Sequence, residues 1–217
     1  MSTAAPRRTR PRGETRREQI LDAATAVFLK HGYAGATIEL VVARAGASKA
    51  TIYSFFGDKE GLFTALVDER AGRILAGFPD VEVGTVDVPT ALAEIARQYM
   101  AVAMSPEAIG LYRLILAEGP RFPELVERVY RVGHERVAAG VAQALRTWAG
   151  RGRISADDPD RLATQLLDIV RGDLHLRLVA GVRPDDLAEA IESNIVHGVR
   201  TFWRAVGPRG GERGRVD

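Results

Sequence analysis

A pair of short helices joined by a tight turn is the feature of this sequence that most limits its fold. Thr37 can cap the first helix and Ser48 the second, because each side chain can accept a hydrogen bond from a first-turn amide. Ala45-Gly46-Ala47 leaves room for only a short turn between them, and Gly57 ends the second helix. The second helix has short or hydrogen-bonding side chains at its outward positions, which is unusual for a core helix. The spacing therefore predicts a helix-turn-helix, whose second helix can enter a DNA major groove.

Two further helices are predicted on either side of this pair. The first covers residues 15 to about 31, because Thr15 and Glu18 form a capping box and Gly32 follows a cationic last turn. The fourth helix starts at Asp58, which can cap it. Apolar residues recur at helical spacing in all four helices and predict one small buried core: Ile20, Ala24, Val27, Phe28, Leu40, Val41, Ala45, Ile52, Phe56, Leu62 and Leu66.

The rest of the chain predicts long helices. Helical stretches are expected at about 90–104, 106–118, 122–149, 158–179 and 185–205, and residues 79–89 are expected to form a loop. Prolines at helix starts and glycines between helices provide the breaks. Because the sequence has no sustained period-two pattern, the predicted fold class is all-α.

Positive charge is concentrated at the N-terminus, although the formal net charge is only +2. Residues 1–17 contain six arginines against one acid, Glu14. Such an arm suits a phosphate backbone, but a solvated, disordered tail has the same composition. Residues 1–13 are therefore expected to be a disordered basic arm, and the glycine- and arginine-rich residues 207–217 a disordered tail.

Composition removes several kinds of chemistry. The sequence has no cysteine, so disulfides, thiolate metal sites and thiol nucleophiles are excluded. No apolar run approaches the ~20 residues that span a bilayer, and the basic N-terminus lacks the apolar core of a secretory signal. We expect a cytoplasmic protein with no membrane segment, metal or cofactor.

The stretch from Ile20 to Leu66 contains a specific set of residues in a fixed order: Ile20-Leu21-Asp22-Ala23-Ala24, Phe28, Gly32-Tyr33, Thr37, Ile38, Ala43, Ala45-Gly46, Ser48, Thr51-Ile52-Tyr53, Phe56, Asp58-Lys59 and Leu62. This pattern resembles the TetR family of transcription regulators. The segments 118–125 and 171–176 are similar to the C-terminal domain of its AefR-like branch. The resemblance implies about nine helices, with a helix-turn-helix DNA-binding domain at 14–60 and a ligand-binding, dimerising domain at 61–206.

The resemblance also implies a set of DNA contacts. Thr37, Tyr53 and Lys59 match positions that hold phosphate and would set register without reading sequence. The alternatives are a plain helix cap for Thr37 and packing for Tyr53. Lys49 and Ser54 are expected to determine specificity, and Ala50 is small enough to contact a thymine methyl. The full predicted set is Thr37, Ser48, Lys49, Ala50, Thr51, Tyr53, Ser54 and Lys59.

The last predicted helix has an apolar stripe with two possible roles. The stripe consists of Leu187, Ile191, Ile195, Val199, Phe202 and Val206. It either completes the core or pairs with a second copy of the chain. The resemblance implies the second role, in a homodimer that reads a palindromic operator in double-stranded DNA.

Candidate ligand-binding residues lie on the middle helices. Aromatic and flexible apolar side chains there either line a cavity or pack an ordinary core. Charged residues interrupt an otherwise apolar helix, although Asp168 and Arg171 can also form a helix-surface pair. The predicted set is Tyr99, Met104, Tyr112, Leu116, Phe122, Trp148, Asp168, Arg171 and His175. The resemblance implies that an unknown small-molecule effector binds here and releases a repressor from DNA.

Three other classes of protein are possible from the residues alone. An enzyme is disfavoured, because the four histidines are scattered and no H-E-x-x-H, G-x-S-x-G, P-loop or dinucleotide motif is present. A helical interaction module would not bind DNA, and an architectural DNA-binding protein would lack a strongly preferred operator. The helix-turn-helix and the arginine arm favour a regulator over all three.

Overall fold

The computed structural model of this chain describes residues 12–76 and 87–208. These residues form α-helices throughout: α1 (Arg12–Gly35), α2 (Ile38–Ala45), α3 (Lys49–Phe56), α4 (Lys59–Ala76), α5 (Val88–Ala103), α6 (Pro106–Glu118), α7 (Pro123–Tyr130), α8 (Arg136–Gly150), α9 (Pro159–Arg171), α10 (Leu174–Ala180) and α11 (Leu187–Val206). A π-helical turn (Arg131–Glu135) joins α7 to α8, so the described ranges contain ten separate helices, against about nine expected. The all-α prediction is confirmed.

Several predicted features lie outside the described residues. They are the basic arm up to residue 11, most of the predicted loop at residues 79–86, and the tail from residue 209 onward. The expectations for these segments stay predictions.

Two predicted helix boundaries are wrong. α1 begins at Arg12, so Thr15 lies inside the helix and does not cap it; the backbone does break at Gly32, as expected. The single helix predicted over 158–179 is divided at Gly172, where φ is 51°. A side chain at this position would adopt a strained left-handed conformation, and its Cβ would lie 3.0 Å from Nδ2 of Asn194.

The described residues divide into two compact units. The first unit contains the chain through Arg70 together with Leu114–Leu125, and the second contains Ala71–Arg113 and the chain from Val126 onward. The functional boundary at residue 60 that we predict between DNA-binding and ligand-binding parts stays a prediction.

The first unit is held together by an aromatic cluster. Tyr33 packs against Phe28, Phe63 and Phe122, with ring centroids 5.8, 5.0 and 4.9 Å away. All four rings are buried. Aromatic pairs at these separations contribute about 0.5–1.5 kcal/mol beyond the burial of their surface.

A buried arginine links α4 to α1 in the same unit. Arg70 donates a hydrogen bond of 3.0 Å from Nε to Oγ1 of Thr25, and its guanidinium pairs with the carboxylate of Asp22. The Arg70 side chain is only 7% exposed, so these partners offset the cost of removing its charge from water.

The core of the second unit lies among α5, α8, α9 and α11. Trp148, Met100, Leu92, Leu145 and Leu166 are among its largest fully buried side chains. The apolar stripe of α11 lies in this core through Ile195, Val199, Phe202 and Val206. Of the two roles predicted for the stripe, completing the core is therefore the one that the structure shows.

Candidate nucleic-acid interface

The turn between α2 and α3 is fixed by a glycine and by an arginine from α1. Gly46 has φ 58° and ψ 32°, a left-handed conformation that favours glycine. Arg16 donates hydrogen bonds of 3.4 Å to the carbonyl oxygen of Ala45 and 2.6 Å to that of Gly46. Its charge therefore lies at the negative end of the α2 dipole. The sequence placed Arg16 among the six N-terminal arginines and within the first predicted helix, but it did not predict this contact, because a bond across 30 residues has no local signal.

The two predicted caps of the motif are confirmed. Oγ1 of Thr37 accepts a hydrogen bond of 3.3 Å from the Leu40 amide. Oγ of Ser48 accepts one of 3.0 Å from the Thr51 amide. Both residues are exposed. The Thr37 hydroxyl also forms a hydrogen bond with the Glu39 carboxylate, and Ser48 Oγ lies 2.8 Å from Oγ1 of Thr51. A hydroxyl has one hydrogen, so donation from either cap to a phosphate requires that hydrogen to turn away from these partners.

One face of α3 is buried and the opposite face is open to solvent. Ile52 is fully buried, whereas Ala50 and Ser54, roughly opposite it on the helix, are exposed. Tyr53 is 46% exposed, so nearly half of its surface remains open to solvent. Thr51 is half-buried. This arrangement presents a small, polar helix surface of the kind that enters a major groove.

The hydroxyl of Ser54 is oriented by its own helix. Ser54 Oγ donates a hydrogen bond of 2.9 Å to the Thr51 carbonyl oxygen. This bond uses the only hydroxyl hydrogen and leaves the oxygen lone pairs outward. In this rotamer, Ser54 can accept from the amino group of cytosine or adenine and cannot donate to a phosphate.

An ion pair crosses the turn between the two helices. The Lys49 ammonium at the start of α3 pairs with the Glu39 carboxylate in the first turn of α2, and both side chains are more than half exposed. The hydrogen bond from Lys49 lowers the pKa of the Glu39 carboxyl to about 2, and the same bond raises the pKa of Lys49. Glu39 is therefore ionised throughout the physiological pH range.

Lys59 lies over the ring of Tyr33. Its Nζ is 4.5 Å from the ring centroid and 3.4 Å from the carbonyl oxygen of Ala34. The Arg121 guanidinium also lies 4.5 Å from the Tyr33 centroid. The backbone amide of Tyr33 donates a hydrogen bond of 3.3 Å to Oε1 of Glu118. Tyr33 therefore positions two cations of the first unit through its ring.

Residues of α1 and α4 also line an open depression in the first unit. Its volume is about 740 Å³, and four of its eight lining residues are acidic: Arg17, Asp58, Glu60, Gly61, Thr64, Ala65, Asp68 and Glu69. The four carboxylates disfavour phosphate, so this side of the unit does not suit DNA.

Five of the predicted ligand-binding residues form a cluster in the second unit. Tyr99 is buried and forms a hydrogen bond with Arg171; burial raises the pKa of its hydroxyl, and the guanidinium opposes this. The rings of Tyr112 and His175 meet edge to face, with centroids 4.6 Å apart. Burial, and then Arg171, lower the pKa of His175. The fifth member is Asp168, which Arg171 contacts at 2.7 Å as the i,i+3 pair that the sequence allowed.

The other four predicted ligand-binding residues lie elsewhere. Met104 and Trp148 belong to the buried core of the second unit. Phe122 belongs to the aromatic cluster of the first unit, and Leu116 is an exposed residue of that unit. A ligand role for any of these nine residues stays a prediction.

No group of three or more histidine, aspartate or glutamate side chains within residues 12–76 and 87–208 is arranged to hold a metal ion. No single helix within the same ranges is long and apolar enough to cross a membrane; α5 and α6 reach that threshold only as a pair bent by 62°.

The capped two-helix motif, the glycine turn and the exposed face of α3 define a helix-turn-helix DNA-binding protein. Residues 20–66 match the model for bacterial regulatory proteins of the tetR family, and residues 90–208 match the AefR-like transcriptional repressor C-terminal domain. The chain therefore belongs to the TetR family of transcriptional regulators, with an AefR-like C-terminal domain. Proteins of this family bind DNA and are not enzymes.

Individual relatives agree with this assignment. The transcriptional repressor AcnR of Corynebacterium efficiens is 30% identical over 81% of this chain and 88% of its own length. The transcriptional regulator UidR of Escherichia coli is 29% identical over 86% of this chain and 90% of its own length.

Solved structures of the family are also similar. A TetR-family regulator from Mesorhizobium loti covers 91% of this chain and 100% of its own, with 29% identity and a TM-score of 0.80. The flavonoid-responsive regulator FrrA covers the same shares, with 31% identity and a TM-score of 0.75.

Proposed function

We propose that this protein is a repressor that binds a palindromic operator as a homodimer and is released by a small-molecule effector. The observation that carries the proposal is the exposed face of α3, where Ala50, Tyr53 and Ser54 project away from buried Ile52. One such helix reads only a few base pairs, so specific recognition requires two copies related by two-fold symmetry. We also propose a cytoplasmic location, because operator DNA is reached there.

The DNA contacts follow from the chemistry of each side chain. We assign Thr37, Ser48 and Thr51 to phosphate near the helix N-termini, where amides and hydroxyls favour an anion. Tyr53 and Lys59 also contact phosphate and carry little sequence information. Lys49 and Ser54 read base edges, and Ala50 admits a thymine methyl.

We assign the dimer surface to α9, α10 and α11, each of which carries an exposed apolar side chain. Ile169, Leu176 and Val196 are 40%, 69% and 40% exposed, although they belong to helices whose other faces form the core of the second unit. A partner that covers these residues would remove their apolar surface from water. A second copy of this chain is the occupant that palindromic recognition requires.

The effector site is the cluster of Tyr99, Tyr112, Arg171 and His175. Tyr112 is 40% exposed, so its ring can pack against an aromatic ligand. The Arg171 guanidinium can bind a hydroxyl or carboxylate on that ligand. FrrA is named as flavonoid-responsive, which supports an aromatic effector for this chain. The effector releases DNA to the extent that it binds the DNA-free state more tightly.

Operator binding is tested by fluorescence anisotropy. The protein is titrated into labelled duplexes from the DNA flanking its own gene and from a selected random library, with unlabelled competitor and varied salt. Saturable binding to a palindromic site, with two chains per site and far above competitor affinity, is expected. Binding that is equally weak on all duplexes would overturn the operator proposal.

Effector binding is tested on the same complex. Flavonoids and hydroxybenzoates are added to the protein–operator complex, and release is followed by the loss of anisotropy. Arg171→Met should weaken the response, whereas Arg161→Met, an exposed residue on the same helix, should not. A compound that binds without changing operator affinity would contradict the coupling.

A further inference from the structure

The Glu39–Lys49 ion pair places a carboxylate beside the residue that begins the DNA-reading helix. Glu39 lies in the first turn of α2 and Lys49 is the first residue of α3, so the pair joins the two helices of the motif. Both side chains are exposed, at 60% and 54%. A carboxylate on a surface that meets phosphates weakens DNA binding by charge repulsion. Its presence beside Lys49 therefore indicates a function.

The helix dipole explains only part of this placement. An acid in the first turn of α2 is stabilised by the positive helix end, and Glu39 also forms hydrogen bonds with its own backbone amide and with Thr37. Those interactions do not require a lysine on the next helix. The hydrogen bond from Lys49 nevertheless lowers the pKa of the Glu39 carboxyl more than either of those interactions.

A lysine without such a partner discriminates poorly between base sequences. Its ammonium is a compact charge on a flexible stem, and any phosphate within reach attracts it. The ammonium has three donors, however. It can keep one hydrogen bond to Glu39 and direct another towards an acceptor pair such as O6 and N7 of guanine.

We propose that Glu39 is a positioning residue of the DNA interface, which holds the Lys49 ammonium for base recognition and withholds it from non-specific phosphate contacts. The inference rests on the proposed function, because it assumes that α3 enters the major groove. On random DNA, a phosphate that approaches Lys49 is repelled by the adjacent Glu39 carboxylate, whereas the acceptor atoms of a base carry no net charge and are repelled less. On the correct operator, the base contact forms while the ion pair remains. Glu39 therefore weakens non-specific binding more than specific binding.

The test is a double-mutant cycle on the full-length protein. Glu39→Gln, Lys49→Met and the double variant are compared with wild type on a random-sequence duplex and on the selected operator, across a range of salt. Glu60→Gln is the matched control, because it removes the same charge from the first turn of another helix in the first unit. Thermal unfolding verifies that each variant is folded.

The expected result is a loss of discrimination. Glu39→Gln should tighten binding to the random duplex by about two- to fivefold, the range for an exposed ion pair, and steepen the salt slope by about one released counterion. Operator affinity should change less. In the Lys49→Met background, Glu39→Gln should have no more effect than Glu60→Gln. Glu39→Asp should restore part of the discrimination, because it keeps the carboxylate.

Two outcomes would overturn the proposal. One is an equal effect of Glu39→Gln with and without Lys49, which would indicate a general charge effect. The other is an equal change on operator and random duplexes. The random-duplex cycle reports on the ion pair even if no preferred operator exists. Failure of the proposed function would be seen as a wild-type protein that selects no operator. It is therefore distinguished from failure of this inference, which the random-duplex cycle tests separately.

Discussion

Arg16 in α1 donates a hydrogen bond of 2.6 Å to the carbonyl oxygen of Gly46, in the turn between α2 and α3. This bond joins the first helix of the chain to the turn that sets the angle between the two helices of the motif. The orientation of α3 therefore depends on a residue outside the motif itself.

Replacing Arg16 with alanine should loosen the turn. We expect the free energy of unfolding to fall by about 1 kcal/mol, because a partly exposed, charged hydrogen bond is lost at a helix C-terminus. Operator affinity should fall as well, since α3 is then held less firmly. Chemical denaturation and anisotropy measure the two effects. Lys30→Ala, which removes an exposed charge from the same helix, is the control; equal losses in both variants would indicate net charge alone.

Replacing Lys59 with alanine should weaken binding to every duplex by a similar factor. Lys59 is held over Tyr33 and is assigned to phosphate, so its loss removes affinity without changing the preferred sequence. The slope of log affinity against log salt should become shallower by about one. Lys59→Arg should retain most of the affinity. A changed sequence preference in Lys59→Ala would refute the phosphate assignment.

Replacing His175 with glutamine should remove part of the acid sensitivity of the fold. Burial and Arg171 lower the pKa of His175 in the folded state, so the unfolded chain binds the proton more readily. Stability from this residue is complete above the unfolded pKa of about 6.5 and decreases as pH falls below it. Urea unfolding of wild type at about pH 5 and about pH 7.5 should show this loss. His175→Gln should show less of it, and His197→Gln, at an exposed position, should match wild type.

Replacing Gly198 with alanine should push α11 away from α9. The added Cβ would lie 2.8 Å from Cγ1 and 3.0 Å from Cα of Val170, so backbone as well as side chain must shift. Overpacking of this kind costs about 1–3 kcal/mol of unfolding free energy. Gly140→Ala is the control, because nothing lies within 4 Å of its Cβ. It should instead stabilise α8 by about 0.5–1 kcal/mol, as measured by denaturation. Equal stability of both variants would contradict the close approach.

Local chemistry in the sequence was enough to predict the helix-turn-helix. Thr37 and Ser48 cap α2 and α3 as expected, and Gly46 has the left-handed conformation of the predicted turn. Ile52 is buried as its spacing indicated. These features depend on residues within one or two turns of each other. The same reasoning was wrong for Leu40, which was expected to be buried and is 38% exposed, because an apolar residue does not identify the side of a short helix that faces the core.

For the longer helices, the periodicity of apolar residues did not predict where a helix ends or which surface it contacts. The sequence over 158–179 is apolar enough to predict one helix, and Gly172 alone did not indicate a break, because glycine is tolerated within helices. The break follows from the backbone of Gly172 and the nearby side chain of Asn194. The stripe on α11 was equally ambiguous, since an apolar face fits a core and a dimer surface alike.

The sequence by itself determined the all-α class, the helix-turn-helix and the family, because caps, turn glycines and apolar spacing act over a few residues. Only the tertiary structure decided which side chains meet across the chain: Arg16 with the turn, Lys59 and Arg121 with Tyr33, and Arg171 with Tyr99. Such pairs depend on how helices distant in sequence pack, and no local pattern encodes that packing.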